Sequence, residues 1–310
     1  MKVVITARNF DVDGGEQIKR LKAHGFEVVD YSDRMFDNED DYFEALRGAD
    51  AVINAIEPMS RKGLLDSDLK LISVRGVGYD YIDSDACREK GIAISRTVGA
   101  VEGAVAEQVM AYLLYFARRI DFQNSSMQGG KWERLMSSGL SGMTLGIIGL
   151  GGIGIEIAKR ALPFGMKIVY FSRTKKDFAG VDYLELDELL SVSDYVALSL
   201  PLTPQSEGMI GDRQLSLMKK SAVLINVSRA KIVDVYALKE ALEKGELGGC
   251  AIDVFEKEPC TDSPLIGLEN AVLTPHTSPY TKNNFIAMNK LATDNIIRFF
   301  DKTIDEKYLV

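Results

Sequence analysis

Positive charge, cysteine and histidine are all scarce in this 310-residue chain, and each shortage narrows the possible functions. Lys and Arg number 37 against 45 Asp and Glu, and the net charge of −8 argues against a nucleic-acid or anionic-membrane partner, because both need a basic face. The three cysteines, Cys87, Cys250 and Cys260, lie far apart and have no metal-ligand spacing. We therefore predict no metal site, and reduced thiols in a reducing compartment.

The chain also lacks long apolar runs. None approaches the ~20 residues of a membrane-spanning helix, and Met1 leads directly into a strand-like run instead of a signal peptide. We expect a cytoplasmic protein with no membrane partner. Hydrophobic residues make up 46% and charged residues 26% of the chain, as in ordinary globular proteins, and the length suffices for two domains.

Short apolar runs alternate with polar, helix-compatible stretches, which predicts α/β architecture with parallel sheets covered by helices on both faces. The predicted strands are 3–6, 26–29, 51–55, 70–74 and 92–94, and then 145–148, 168–171, 195–198, 223–226, 250–253 and 272–273. Long helices are predicted over 102–119 and 281–300. The segment 123–142 between them is predicted to be a loop with one turn of helix.

A glycine-rich turn follows the first strand of the second half. The strand leads into Gly149-x-Gly151-x-x-Gly154, and helical spacing comes after it. The first glycine allows a tight turn, the second lets the backbone approach a pyrophosphate, and the third lets the helix pack close to the strand. The helix N-terminus offers unpaired N–H groups to the anion. Because a strand precedes and a helix follows, binding of NAD or NADP is favoured over a plain turn.

The residues after the next strand bear on the choice of dinucleotide. NAD-specific sites usually place Asp or Glu there, about 20 residues past the glycine loop, to bind the ribose 2′-OH. Here the strand runs into Ser172-Arg173-Thr174-Lys175-Lys176, without an acid. Arg173 can bind a 2′-phosphate and stack on adenine, although these residues could also be solvated loop charges. We predict NADP as the preferred cofactor and NAD as the other possibility.

Three polar stretches follow neighbouring strands of the second half, where ligands of open α/β sheets bind. Arg229 follows the fourth strand, Glu256 and Glu258 follow the fifth, and His276 follows the sixth. An arginine binds a carboxylate and polarises a carbonyl, a histidine transfers a proton, and a carboxylate orients the histidine. Together they predict reduction of a 2-keto acid, whereas a lone histidine there would more often be structural. His24, at the end of a predicted helix, is expected to be structural.

A second glycine-rich stretch, 75–83, follows a strand of the first half. Its glycines can expose backbone N–H groups to a carboxylate. The alternative is a sharp strand-to-helix turn in which Asp83 or Ser84 caps the next helix. Taken alone, the stretch favours the turn.

In combination these motifs resemble the D-isomer-specific 2-hydroxyacid dehydrogenase family. They occur in the family's order: Gly76–Asp83, Val105-Ala106-Glu107, Gly149–Gly154, Pro201-Leu202-Thr203, Ser228-Arg229-Ala230, Asp253–Pro259 and Thr274-Pro275-His276.

The resemblance implies roles for single residues. Arg229, Glu258 and His276 would be catalytic, with Glu258 and not Glu256 paired to the histidine. The substrate would be bound by Arg75 and by the backbone N–H groups of Val77 and Gly78. Asp253 would hold the nicotinamide carboxamide. The implied cofactor-binding residues are Val105, Gly149, Gly151, Gly152, Ile153, Gly154, Ser172, Arg173, Thr174, Pro201, Ser206, Val227 and Asp253.

The resemblance also implies two doubly wound parallel-sheet domains. A Rossmann dinucleotide-binding domain, residues 99–282, would be inserted in a flavodoxin-like substrate domain, residues 1–98 and 283–310, and the protein would be a homodimer that closes on its ligands. The implied activity is NAD(P)-dependent reduction of a small 2-keto acid to the D-2-hydroxy acid. The alternative is an NAD(H)-sensing or scaffold protein without turnover, which the complete trio disfavours.

One departure from the family pattern affects the substrate. Many members read Asn-Thr-Pro-Gly where this chain reads Arg96-Thr97-Val98-Gly99. Arg75 and Arg96 together leave open whether the substrate carries an extra acidic or phosphorylated group. Glyoxylate, hydroxypyruvate, pyruvate and 3-phosphohydroxypyruvate are therefore all candidates.

Overall fold

The computed structural model describes residues 1–310. The strands are β1 Lys2–Ile5, β2 Glu27–Asp30, β3 Ala51–Asn54, β4 Leu71–Val74, β5 Ala93–Arg96, β6 Thr144–Ile148, β7 Lys167–Phe171, β8 Val181–Tyr183, β9 Tyr195–Leu198, β10 Val223–Asn226, β11 Gly249–Ile252 and β12 Ala271–Leu273. The helices are α1 Glu16–Ala23, α2 Glu39–Ala45, α3 Arg61–Asp66, α4 Ser84–Lys90, α5 Glu102–Arg118, α6 Ile120–Gln128, α7 Gly152–Ala161, α8 Leu186–Val192, α9 Asp212–Leu217, α10 Val235–Glu243 and α11 Lys282–Phe300.

The chain forms two compact units, residues 1–101 with 280–310, and residues 102–279. The first contains a five-stranded sheet of order β2-β1-β3-β4-β5, and the second a seven-stranded sheet of order β12-β11-β10-β9-β6-β7-β8. The strands in both sheets are parallel. The predicted fold class is confirmed. The assignment of substrate and cofactor to the two units stays a prediction.

The central strands of both sheets are buried on both faces. β3, β4, β9, β10 and β11 have no exposed residue, which explains why they read as continuous apolar runs in the sequence. In the first unit α11 covers the sheet: Ala292 and Ile296 pack in the same cluster as Val3, Ile5 and Leu71. No helix in the structure combines the length and apolar character that crossing a bilayer would need.

Buried polar side chains supplement this apolar stripe of α11. Ser73 in β4 donates a hydrogen bond to the Ala292 carbonyl at 3.0 Å, and Asn295 donates to the Arg96 carbonyl at 3.1 Å. Asn289 donates to the carbonyls of Asn9 and Phe10, both at 3.2 Å. The helix is thus tied to β4, to the end of β5 and to the loop after β1.

Two sequence predictions about the second unit were wrong. We expected six strands, and the sheet has a seventh, β8, of which only Val181 is buried. We expected a loop with one helical turn after residue 123, and the chain instead forms α6, in which only Ser126 is buried. Both elements were missed because segments with one buried residue lack hydrophobic periodicity.

The carboxyl end of β6 is the topological switch point of the second sheet. β6 lies between β7 and β9, so the connections leave it in opposite directions. Ligands of open α/β sheets bind at such points. The glycine-rich turn follows β6 directly.

A substitution of Gly146, in β6, tests the packing of α8 against this strand. A Cβ there would lie 2.4 Å from Ser193 Oγ and 2.6 Å from Leu189 Cδ2, so Gly146→Ala must displace the side chains that pack α8 and the residue after it against β6. We expect a loss of roughly 1–3 kcal/mol in the free energy of unfolding, measured with urea. Gly139→Ala is the control, because nothing lies within 4 Å of its Cβ position. Equal stability of the two variants would contradict this packing.

Candidate active site

The glycine-rich turn has the shape that a dinucleotide requires. Gly149 has a φ of 101°, and a Cβ there would lie 2.6 Å from the Ser199 carbonyl oxygen. A Cβ on Gly154 would lie 2.3 Å from the Gly149 carbonyl oxygen, so α7 packs against the turn only if residue 154 is glycine. Gly151 has nothing within 4 Å of its Cβ position, which leaves its face open to a ligand.

The start of α7 is also suited to an anion. α7 begins at Gly152, and its N-cap residue, Gly151, has no side chain that could cap the first N–H groups. Gly152 and Ile153 therefore lie in its first turn, where a pyrophosphate would be stabilised by N–H groups and the helix dipole. The residues present fit a dinucleotide, and their individual contacts with it stay predictions.

The loop after β7 folds back toward the glycine-rich turn. Tyr170 Oη accepts a hydrogen bond from the Lys176 N–H at 2.7 Å and donates to the Lys176 carbonyl at 2.6 Å. Ser172 donates to the Thr174 carbonyl at 2.6 Å, and Arg173 is exposed.

Lys176 is a residue whose importance the sequence did not reveal. Its Nζ donates to the carbonyl of Leu150, within the glycine-rich turn, at 2.7 Å. A positive charge is thereby held beside the proposed adenosine end of the site. The basic run was visible in the sequence, but which of its members contacts the turn depends on how the loop folds back.

Other predicted cofactor residues stabilise neighbouring segments. Ser206 is buried; its hydroxyl accepts from the Thr203 N–H and donates to the Pro201 carbonyl, both at 2.8 Å. Val105 is buried in α5, the helix that packs against α7. Their direct contact with the cofactor stays a prediction.

Asn226, the last residue of β10, shapes the turn that carries Arg229. Its amide nitrogen donates to the Arg229 carbonyl at 2.9 Å, and its amide oxygen accepts from the Ser228 N–H at 3.0 Å. Ser228 Oγ donates to the Leu200 carbonyl beyond β9, and Val227 is buried. This turn is therefore held to two neighbouring strand ends.

His276 and Glu258 form the pair expected from the resemblance. His276 Nδ1 lies 2.8 Å from Glu258 Oε2, and Glu258 Oε1 accepts from the Phe255 N–H at 3.0 Å, so Glu258 and not Glu256 is the partner of the histidine. A carboxylate accepts at Nδ1, so that nitrogen carries the proton and Nε2 is left for proton transfer.

The electrostatics of Glu258 bring Arg229 into the same group. Partial burial raises the pKa of the Glu258 carboxyl, whereas the hydrogen bond and charge of His276, the hydrogen bond from the Phe255 N–H and the charge of Arg229 all lower it. The net effect places the pKa of Glu258 below its ordinary value of 4.5. The structure thus brings together all three side chains predicted to be catalytic.

Asp253 organises the loop that carries His276. Its carboxylate is 1% exposed and accepts from Thr274 Oγ1 at 2.5 Å, from the Thr277 N–H at 2.8 Å and from the Ser278 N–H at 2.9 Å. His276 has a φ of 53°, a left-handed conformation that is unusual for a residue other than glycine. Such conformations persist where the surroundings over-determine them, often at functional sites.

Tyr112 of α5 extends this network. Its Oη lies 2.5 Å from Thr274 Oγ1, and because the Thr274 hydroxyl donates to Asp253, Tyr112 is the donor. Sequence reasoning missed both the supporting role of Asp253 and the participation of Tyr112. The predicted contact of Asp253 with the nicotinamide stays a prediction.

In the first unit, the loop 76–78 follows β4. Thr97 donates to the Gly76 carbonyl through its N–H at 2.9 Å and through Oγ1 at 3.2 Å, which holds the loop open. The N–H groups of Val77 and Gly78 donate to no acceptor within the chain. Asp83, not Ser84, caps the next helix, with its Oδ1 accepting from the Ala86 N–H at 2.8 Å. The turn and the anion-binding loop are thus compatible.

Arg75 has a more buried position than we expected. Its guanidinium donates to the Arg8 carbonyl, lies 3.5 Å from Asn289 Oδ1 and stacks on Phe285 with 4.5 Å to the ring centroid. Burial lowers the pKa of Arg75 to about 10. The predicted contact with substrate stays a prediction, and this geometry favours a structural role.

Comparison with known proteins agrees with this geometry. Residues 110–278 match the family model described as D-isomer specific 2-hydroxyacid dehydrogenase, NAD binding domain. The chain is 37% identical to glyoxylate reductase of Thermococcus litoralis over 96% of this chain and 93% of that protein. The chain belongs to the D-isomer specific 2-hydroxyacid dehydrogenase family. The prediction of the family is thereby confirmed.

Solved structures of family relatives match the whole chain. An acyclic imino acid reductase in complex with NADPH and D-Arg is 27% identical, with a TM-score of 0.91 over 100% of both chains. A D-lactate dehydrogenase from Aquifex aeolicus, complexed with NAD and lactic acid, is 28% identical, with a TM-score of 0.86 over 100% of this chain and 99% of that chain. The prediction of an NAD(P)-dependent enzyme acting between 2-keto and 2-hydroxy acids is confirmed.

The lowered pKa of Glu258 predicts a pH-dependent contribution to stability. A carboxylate whose pKa is lower in the folded than in the unfolded chain stabilises the fold above its ordinary pKa, and this stabilisation is lost as the pH falls through the folded-state pKa. Glu258→Gln should therefore reduce the free energy of unfolding at pH ~7 more than at pH ~3. Urea titrations at the two pH values measure this, with Glu256→Gln as the control. The same deficit at both pH values would contradict the prediction.

Proposed function

We propose that this protein is a cytoplasmic, homodimeric reductase that converts a small 2-keto acid to the D-2-hydroxy acid and prefers NADPH over NADH. The observation that carries the proposal is the His276–Glu258 pair, 2.8 Å apart at the sheet edge, with the charge of Arg229 acting on the same carboxylate. A proton donor, its orienting carboxylate and a carbonyl-polarising cation are what this reduction requires of the protein.

Each residue has a distinct role in the proposed reaction. Arg229 binds the keto acid through its planar fork and polarises the carbonyl. Glu258 holds Nδ1–H of His276, so that Nε2–H gives its proton to the carbonyl oxygen as it becomes a hydroxyl. The N–H groups of Val77 and Gly78 bind the substrate carboxylate. The dinucleotide, when bound, supplies the hydride.

The preference for NADPH rests on the basic residues after β7. Arg173 is exposed and able to bind a 2′-phosphate, and Lys176 is held at the Leu150 carbonyl. The segment lacks the acid that would bind a free 2′-OH and repel a phosphate. One relative's structure contains NADPH and another's contains NAD, so both forms occur among similar proteins.

The homodimer is supported by apolar side chains on and after α6. Ile120, Met127, Trp132 and Met136 are 61%, 54%, 74% and 96% exposed, respectively. Such concentrated apolar exposure is typical of an association surface.

The cytoplasmic location is supported by the cysteines. Cys87 and Cys250 are free, buried thiols. Burial raises the pKa of Cys87 to about 11 and that of Cys250 to about 12, which makes both poorly reactive, as suits a reducing compartment.

Arg229→Lys tests the proposed reaction. Lysine keeps the charge but cannot form the fork, and a hydrogen bond to a charged group contributes about 1.5–3 kcal/mol, so we expect kcat/KM to fall roughly ten- to hundredfold. The assay is loss of NADPH absorbance with glyoxylate, hydroxypyruvate and pyruvate. The neighbouring exposed residue provides a control, Lys231→Ala. A folded Arg229→Lys protein with wild-type kinetics would exclude this role, and a wild-type protein that binds NADPH without turnover would favour the sensor alternative.

Cofactor preference is tested separately. We expect a higher kcat/KM with NADPH than with NADH, and expect Arg173→Ala and Lys176→Ala to reduce that ratio with little change in NADH kinetics. Lys175→Ala is the matched control, since its Nζ lies over the Tyr183 ring, 4.1 Å from the centroid. A wild-type enzyme that prefers NADH would refute the assignment.

A further inference from the structure

We propose that Arg96 binds a second anionic group on the substrate, so that the preferred 2-keto acids carry a carboxylate or phosphate in addition to the one next to the keto group. This inference rests on the proposed function and extends it to the substrate class.

Arg96 lies directly beside the loop assigned to the substrate carboxylate. It is the last residue of β5, and its register partner Val74 is the last residue of β4. The next residue, Thr97, donates two hydrogen bonds to the Gly76 carbonyl. The position of Arg96 relative to the N–H groups of Val77 and Gly78 is therefore fixed by the sheet and by these bonds.

The side chain of Arg96 is directed over the same loop. Its guanidinium carbon lies 5.6 Å from the ring centroid of Tyr79, the residue that follows Gly78. Stacking on an aromatic ring leaves the edge of a guanidinium, with its N–H donors, free to bind a carboxylate or phosphate in a bidentate manner.

The guanidinium of Arg96 lacks the acidic partner that a partly buried arginine normally has. Its Nε is buried and has no hydrogen-bond acceptor. By contrast, other arginines of the chain pair with acids: Arg20 with Asp294, Arg34 with Asp41, Arg61 with Glu89, Arg88 with Asp85 and Arg213 with Asp187. A buried donor without an acceptor is costly, and a bound anion would remove that cost.

Arg75 adds to the positive potential at the same edge of the sheet. It follows β4 as Arg96 ends β5, but its guanidinium is engaged with the Arg8 carbonyl and the Phe285 ring. Neither arginine forms an ion pair within the chain. The two charges at neighbouring strand ends favour a more highly charged acid over a monoanion.

Matched substrate pairs test the proposal. 3-Phosphohydroxypyruvate differs from hydroxypyruvate by one phosphate, and oxaloacetate differs from pyruvate by one carboxylate. We expect Arg96→Gln to lower kcat/KM for the member of a pair that carries the second anionic group ~10- to 100-fold and to change the monoanionic member by less than about twofold. Arg88→Gln, which removes an arginine from the exposed surface of α4, is the control and should change neither.

The outcomes separate the two anions. Loss confined to the phosphate pair assigns a phosphorylated substrate, loss confined to oxaloacetate assigns a dicarboxylate, and loss in both pairs assigns recognition by charge. Equal changes within each pair, or a wild-type preference for the monoanionic members, would overturn the proposal. Should Arg96→Gln not fold, Arg96→Lys, which keeps the charge but not the fork, should show a smaller loss with the same selectivity. Turnover of glyoxylate but of none of these four acids would overturn this inference alone, whereas absence of turnover with all five acids would overturn the proposed function as well.

Discussion

The hydrogen bonds to the buried Asp253 carboxylate determine the geometry of the catalytic loop. A carboxylate that is 1% exposed is stable only if its oxygens are hydrogen-bonded, and here the donors all come from residues 274–278. Two backbone N–H groups and the hydroxyls of Thr274 and Thr277 converge on it, so the loop closes tightly around it. His276, within that loop, adopts a left-handed backbone and directs Nδ1 at Glu258. The catalytic pair thus depends on an acid that does not itself contact the histidine ring.

Much of the fold could be predicted from the sequence because the central strands are buried in the sheets. β9 and β10 were predicted to the residue, since strands buried on both faces read as short apolar runs bounded by polar residues. The other predicted strands lie within two residues of the observed ones. β8 and α6, in contrast, each bury a single residue, so no pattern marked them. Such elements are stabilised by neighbours that are distant along the chain, and the local sequence pattern does not reveal them.

In the candidate site, too, some features were predictable from the sequence and others were not. The meeting of Arg229, Glu258 and His276 was predictable because carboxyl ends of parallel strands meet at one edge of a sheet. Side-chain contacts across loops were not. The bond from Lys176 to Leu150 joins residues 26 apart, and that from Arg75 to Asn289 joins residues 214 apart. Nothing local to Arg75 indicated that α11 would cover it.

The position of α11 also constrains how the chain can fold during synthesis. The second unit, residues 102–279, is continuous and contains its own sheet, so it can fold as soon as it leaves the ribosome. The first unit needs residues 280–310, which are made after the second unit, and bonds such as Ser73 to Ala292 close loops of more than 200 residues. Until α11 has been synthesised, β1, β3 and β4 have one face without its covering helix. During that interval Val3, Ile5 and Leu71 form an uncovered apolar surface. Aggregation of the nascent chain, or its binding by a chaperone, is expected at this surface.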